Sequence, residues 1–134
     1  MDRLQSESSN SKSKIPNSKF PPERRLKKPA DFQRVYDRRC SAADGLLVIY
    51  CCQNDRPFPR LGLSVSRKVG GAVVRNRWKR LLREAFRLSQ YELPAGMDLI
   101  VIPRQGSEPE LTALQQSLVR LAGRLRGKLA KVAP

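Results

Sequence analysis

Residues 62–84 read GLSVSRKVGGAVVRNRWKRLLRE, and the order of patterns in this stretch decides which fold is expected. Residues 61–66 alternate large apolar with small or polar side chains, which is typical of a half-exposed strand. After a short basic connection that contains glycine, apolar residues recur at helical spacing and predict a helix over residues 72–89. The apolar face of this helix consists of Val74, Trp78, Leu81, Leu82, Ala85 and Phe86.

The other side of the same helix is densely basic. Between Arg67 and Arg87 the chain has eight basic residues and one acid, Glu84. Like charges four residues apart, such as Arg75 and Lys79, repel each other on a helix by about 0.2–0.5 kcal/mol per pair. A bound polyanion removes this penalty, so the pattern favours a nucleic-acid-binding helix over a merely solvated charged face.

The overall composition agrees with a polyanion as partner. The 134 residues include 27 Lys and Arg against 12 Asp and Glu, which gives a net charge of +15, and the pI is near 10.7. The length favours one domain. The chain has no histidine, which excludes a Ser-His-Asp or Cys-His nucleophile and any histidine-ligated metal. An anionic membrane surface is the weaker alternative partner.

Several features bear on the compartment. The longest apolar run, residues 45–52, is far shorter than the roughly 20 residues that span a bilayer. No apolar segment typical of a secretory signal occurs near the start, and an organelle transit peptide has only weak support. Cys40, Cys51 and Cys52 lack a CxxC spacing and are interpreted as reduced, partly buried thiols. The cytoplasm is the expected location.

Further elements lie on either side of the opening stretch. Helices are expected over residues 29–39 and, after a Ser107/Glu110 capping-box spacing, through a final leucine-rich segment. Strands are expected over residues 45–52 and 97–102. The predicted fold is α+β, an α/β sandwich in which helices cover one sheet. Residues 1–22 are expected to be a disordered polar and basic tail, residues 23–127 the nucleic-acid-binding domain, and residues 128–134 a basic C-terminal tail.

Aromatic residues suggest a second surface. Phe32 and Tyr36 share one helical face, and Tyr50 lies on a nearby predicted strand. They either pack in the core or form a platform on which unpaired bases stack, each stack contributing about 1–3 kcal/mol. Trp78 lies at the centre of the apolar arc and is expected in the core. The scattered acids form no evident catalytic or metal-binding set, and Gly70 and Gly71 lack the Lys-Ser/Thr of a P-loop.

Residues 62–84 closely resemble the signature of the bacterial ribonuclease P protein subunit. Residues 25–36, RLKKPADFQRVY, resemble the first helix of that family, although Pro29 stands where many members have a polar cap and Tyr36 where phenylalanine is common. The resemblance implies a mostly antiparallel central sheet with a left-handed crossover into the basic helix. It also implies a non-catalytic cofactor of an endoribonuclease, whose RNA subunit and bound Mg²⁺ remove the 5′ leader from precursor tRNA. No cofactor is expected on the protein itself.

The resemblance also implies two groups of binding residues. Those expected to contact the ribonuclease P RNA are Arg75, Asn76, Arg77, Lys79, Arg80 and Arg83. Those expected at a cleft for the single-stranded leader are Phe32, Tyr36, Tyr50, Ser64, Ser66, Arg67 and Lys68. No membrane or DNA partner is expected.

Two other functions fit the size and charge. A ribosomal protein or general RNA chaperone would bind many folded RNAs without preference for a leader. A helix-turn-helix DNA regulator would place the basic helix in a major groove, but such a motif needs a preceding helix, and here a strand precedes it.

Overall fold

The computed structural model describes residues 21–132 and contains one four-stranded sheet with strand order β1-β2-β4-β3. Short 3-10 turns lie at Pro22–Arg24, Arg67–Val69 and Gln90–Glu92. The helices and strands are α1 (Pro29–Arg38), β1 (Cys40–Ala43), β2 (Leu47–Gln53), β3 (Arg60–Leu63), α2 (Ala72–Ser89), β4 (Met97–Pro103) and α3 (Leu111–Val132).

The sheet is mostly antiparallel, as the family resemblance implied. Strand β2 pairs antiparallel with both β1 and β4, whereas β3 and β4 run parallel. Parallel neighbours need a crossover connection, and α2 supplies it. This connection is the one for which the family resemblance implies a left-handed sense. The predicted α+β class is confirmed.

Each face of the sheet is covered differently. On one face, α2 and α3 pack on the strands and enclose the larger core, which includes Trp78, Phe86 and Leu118. On the other face, α1 and Leu26 of the preceding segment cover part of the sheet over a smaller cluster that includes Val35 and Ile100. The expectation that Trp78 is a core residue is confirmed, since only 1% of it is exposed.

The three thiols are free and buried. Neighbouring residues of a strand point to opposite faces. Cys51 accordingly joins the larger core, whereas Cys52 lies in the cluster under α1. Burial raises the pKa of both thiols, so neither is a reactive thiolate at neutral pH.

The sequence pattern misplaced several boundaries. Strand β1 was not predicted. Strand β2 begins at Leu47 rather than residue 45, because the Asp44 carboxylate accepts hydrogen bonds from the backbone N–H groups of Leu46 and Leu47 and holds a turn there. Strand β3 ends at Leu63 rather than residue 66, and the Ser66 hydroxyl instead accepts a hydrogen bond from Lys68 N at the start of a 3-10 turn.

Helix α3 also differs from its prediction. The proposed capping box does not form, because Ser107 Oγ donates to Arg104 O. The Glu110 carboxylate instead accepts hydrogen bonds from Thr112 N and Ala113 N, so the helix begins at Leu111. The helix continues to Val132, past the predicted domain boundary at 127, and Leu129 is buried. Residues 1–20 of the predicted N-terminal tail lie outside the described residues.

Candidate nucleic-acid interface

Helix α2 presents one apolar side to the core and one basic side to solvent. Trp78 and Leu82 are buried on the inner side. Asn76, Arg77, Arg80 and Arg83 are exposed, and Arg75 and Lys79 are half-buried. All six residues predicted to contact RNA therefore lie on one helix whose inner side is anchored. Val74, expected on the apolar face, is 41% exposed, because it belongs to the first turn of α2, before the helix meets the core.

The single acid on this helix does not neutralise that basic side. Glu84 accepts two hydrogen bonds from Arg87, at 3.0 Å from Nε and 2.5 Å from Nη2. The hydrogen bonds from Arg87 lower the pKa of Glu84, so this pair is fully ionised at neutral pH. The neighbouring Arg80 and Arg83 keep their charge available for an external anion.

The connection before α2 adds two more exposed cations. Arg67 and Lys68 lie in the 3-10 turn that leads into α2. Gly70 follows with φ 147°, and a Cβ there would lie 2.8 Å from Val74 Cβ. Both the backbone conformation and the close approach require glycine at this position. The turn therefore sets Arg67 and Lys68 beside the first turn of the basic helix.

A separate aromatic cluster occupies the α1 face of the sheet. Tyr36 of α1 meets Tyr50 of β2 in an edge-to-face arrangement, with ring centroids 5.1 Å apart and an interplanar angle of 77°. Phe32, one helical turn before Tyr36, lies against Gly62 of β3. All three rings are half-buried and pack at the border of the smaller core. Each ring has a part packed against the core and a part accessible to solvent, so base stacking on these rings stays a prediction.

Gly62 makes this arrangement possible. A Cβ on Gly62 would lie 2.9 Å from Phe32 Cζ and 3.0 Å from Leu26 Cβ. Contacts that short force a neighbour to move, so a larger residue would displace the phenyl ring. Ser64 follows just beyond β3, is half-buried, and its N–H donates to Val101 O.

The predicted leader residues therefore fall into two places. Phe32 and Tyr36 lie on α1, Tyr50 lies on β2, and Ser64 directly follows β3. Ser66 is exposed and, together with Arg67 and Lys68, belongs to the connection that leads to α2. The structure thus places the predicted phosphate-neutralising cations beside the basic helix α2, at the exit from β3.

A buried carboxylate beside α1 was missed by sequence reasoning. Asp98 of β4 has no exposed surface and receives hydrogen bonds from Arg60 Nε at 2.8 Å, Arg60 Nη2 at 2.7 Å and Asn54 Nδ2 at 2.6 Å. Arg34 Nη2 of α1 donates to its second oxygen. One carboxylate therefore ties α1 to β3 and to the β2–β3 loop.

The charge of Asp98 depends on these partners. Burial alone raises the pKa of a carboxyl group, but the hydrogen bonds from Arg60, Arg34 and Asn54 outweigh burial and hold the pKa of Asp98 below its usual value. The hydrogen bond to Asp98 raises the pKa of Arg34 and of Arg60. A signal was present in the sequence: Asp98 is the one acid in the apolar stretch 97–102, and buried acids are nearly always paired.

Comparison with known proteins agrees with this geometry. A family model described as ribonuclease P matches residues 20–126. The chain belongs to the ribonuclease P protein family. The ribonuclease P protein component of Brevibacillus brevis is 46% identical over 112 residues, which cover 82% of this chain and 87% of that protein. The component of Clostridium kluyveri is 45% identical over 105 residues, covering 74% and 94%.

Solved structures show the same fold. The ribonuclease P protein of Staphylococcus aureus at 2.0 Å superposes with a TM-score of 0.65 at 40% identity, covering 83% of this chain and 98% of that one. The protein from Thermotoga maritima gives a TM-score of 0.68 at 31% identity, covering 75% and 96%. The family membership makes this chain a protein component of ribonuclease P, a partner of its RNA in tRNA processing.

Between residues 21 and 132, no group of three or more Cys, Asp or Glu is placed to hold a metal ion. Within the same residues, no helix is both long and apolar enough to cross a membrane.

Proposed function

We propose that this chain docks on the ribonuclease P RNA through α2 and holds the 5′ leader of precursor tRNA on the α1 face of the sheet. The observation that carries the proposal is the separation of the two surfaces. The basic helix lies on one face of the sheet, and the half-buried rings of Phe32, Tyr36 and Tyr50 lie on the other.

The α2 surface suits a folded RNA. Its exposed and half-buried basic side chains neutralise phosphates. Each phosphate contact contributes about 0.7–0.9 to the slope of log affinity against log salt concentration. Asn76 offers both a donor and an acceptor beside Arg75 and Arg77. Because the inner side of the helix is anchored by Trp78, the basic side reaches the RNA as a rigid surface.

The α1 surface suits a single strand. Unpaired bases stack on accessible aromatic rings whatever their sequence, and Ser64 adds a hydroxyl at the end of β3. Mature tRNA lacks the leader, so contacts made here favour the precursor over the product. In this proposal the RNA subunit and its Mg²⁺ perform the cleavage, and the cations of the protein lower the Mg²⁺ concentration that assembly needs.

Reconstitution tests the proposal. The purified protein is mixed with a bacterial ribonuclease P RNA at low Mg²⁺, and removal of the 5′ leader from a precursor tRNA is followed. We expect cleavage that needs both components. Tight RNA binding without any cleavage would support the general RNA-chaperone function instead.

A variant pair locates the docking surface. Arg77→Ala with Arg80→Ala removes two exposed cations from α2, and Arg56→Ala with Arg104→Ala removes two exposed cations elsewhere. We expect the first pair to weaken binding of the ribonuclease P RNA far more than the second. Equal affinities would show that α2 is not the docking surface.

A further inference from the structure

A second basic surface lies on α3, on the side of the helix that runs along the β1 edge of the sheet. Over Leu111–Val132 this helix has five Lys and Arg residues and no acid. Helix α3 contacts β1 and β2, and β1 is an edge strand of the sheet. Arg120, Arg124 and Lys128 follow one another at four-residue spacing and therefore line one side of the helix, which we call the α3 rim.

Two contacts hold the ends of the α3 rim against the β1 edge. Arg120 Nη2 pairs with the Asp44 carboxylate at 2.7 Å while its side chain stays 51% exposed. Lys128 Nζ donates to Ser41 O at 2.5 Å. Arg124 lies between them and is exposed, and no carboxylate among residues 21–132 forms an ion pair with it. The rim is thus positioned by the fold and retains cationic charge toward solvent.

Helix stability does not account for this charge. Cations near a helix C-terminus are favoured by about 0.3–1 kcal/mol, but the effect falls off within the last turn. Arg120 and Arg124 lie more than two turns before Val132. At four-residue spacing their like charges repel, and no acid on the helix compensates.

Two exposed glycines lie on α3 beside the rim. Gly123 and Gly127 are exposed, and a Cβ at either position would meet nothing within 4 Å. A glycine inside a helix costs about 0.5–1 kcal/mol relative to alanine. Without side chains at these two positions, a bulky phosphate backbone can approach the helix closely while the rim cations contact it.

We propose that the α3 rim binds the phosphate backbone of a second segment of the ribonuclease P RNA. This inference rests on the proposed docking of that RNA on α2. Helices α2 and α3 pack against each other on the same face of the sheet, so an RNA that docks on α2 and extends over this face meets α3. The leader cleft lies on the opposite face, which favours the catalytic RNA over the substrate as the occupant.

The test compares two double variants of the full chain. Arg124→Ala with Lys128→Ala removes two exposed cations of the rim, and Arg56→Ala with Arg104→Ala serves as the control with the same loss of charge on exposed residues. Affinity for the ribonuclease P RNA is measured over a range of salt concentrations. Loss of two phosphate contacts predicts a slope shallower by about 1.4–1.8, with affinity about tenfold lower near physiological salt.

A single variant controls for the possibility that the double variant misfolds. Arg124→Ala removes a side chain with no ion-pair partner among the described residues, so the fold is expected to stay intact. For this variant we expect about half of the change in the slope of log affinity against log salt concentration. Circular dichroism and thermal unfolding check each variant before binding is measured.

The remaining outcomes overturn the inference in distinguishable ways. If the rim variants behave like the control pair while Arg77→Ala with Arg80→Ala weakens RNA binding, the α3 rim has no RNA partner and docking on α2 stands. If the α2 variant is also without effect, the proposed function itself fails. If RNA affinity holds but precursor tRNA binding to the holoenzyme weakens, the rim contacts the substrate and not the catalytic RNA.

Discussion

Replacing Asp98 with asparagine tests how the α1 face is held together. The change keeps the shape of the side chain but removes its charge and turns one acceptor oxygen into a donor. Arg60, whose side chain is 10% exposed, then loses a charged partner that it cannot exchange for water. Breaking a buried ion pair in this way costs about 3–5 kcal/mol.

The second arginine adds little to this magnitude. The side chain of Arg34 is 42% exposed and can turn to solvent, so its bridge to Asp98 is comparable to a surface ion pair, worth about 0–1 kcal/mol. The expected loss therefore stays near 3–5 kcal/mol, a large part of the roughly 5–15 kcal/mol that stabilises a domain.

Urea denaturation at pH 7 measures this loss directly. Asp55→Asn, an exposed acid in the β2–β3 loop, is the control and is expected to change the free energy of unfolding by less than about 0.5 kcal/mol. Replacing both partners, Asp98→Leu with Arg60→Met, is expected to recover much of the stability because no unpaired charge stays buried. A loss below about 1 kcal/mol for Asp98→Asn would refute the argument.

Three further predictions follow from the same contacts. Hydrogen bonds outweigh burial and hold the pKa values of Asp44 and Asp98 low. Their contribution to the free energy of unfolding is therefore present above about pH 4, the unfolded-state pKa, and is lost as pH falls through the folded-state pKa values. Urea denaturation between pH 7 and pH 2.5 should show this loss, and an unchanged dependence of stability on pH in Asp98→Asn would contradict it. Gly62→Ala is expected to lower the free energy of unfolding by about 1–3 kcal/mol, because the added Cβ would lie 2.9 Å from the Phe32 ring. Gly45→Ala is the control, since its Cβ meets nothing within 4 Å, and it should be nearly neutral in thermal unfolding. Equal losses in the two variants would contradict the steric argument. Glu110→Ala is expected to cost about 0.5–2 kcal/mol because it removes the cap of α3, and an unchanged urea midpoint would exclude that role.

Local patterns predicted the helices better than the strand ends. The 72–89 helix was predicted with the observed bounds because its apolar and basic sides alternate at a single period over five turns. Strand β1 was missed because it is short, and Cys40, Ser41, Ala42 and Ala43 have little β-branched or aromatic character. It forms because β2 offers a partner, which depends on tertiary structure.

At the candidate site, too, local spacing could be predicted from the sequence and tertiary contacts could not. The basic residues of α2 could be predicted as one surface because a helix groups them by spacing alone. Asp98 could not be assigned partners, since Arg34, Asn54 and Arg60 lie 64, 44 and 38 residues away in the chain. The resemblance grouped Ser66 with the aromatic residues, but β3 ends at Leu63. The Ser66 side chain instead caps the 3-10 turn that leads to α2.

The central claim is that the α1 face holds the leader while α2 holds the RNA subunit. The most direct measurement compares the dissociation constants of precursor and mature tRNA for holoenzyme assembled with the unaltered chain or with Tyr36→Ala. Removal of one stacking ring is expected to weaken precursor binding by about 1–3 kcal/mol, roughly 5- to 150-fold, and to leave mature tRNA binding and RNA assembly unchanged. An equal loss for both tRNAs would contradict the assignment of the leader to this face.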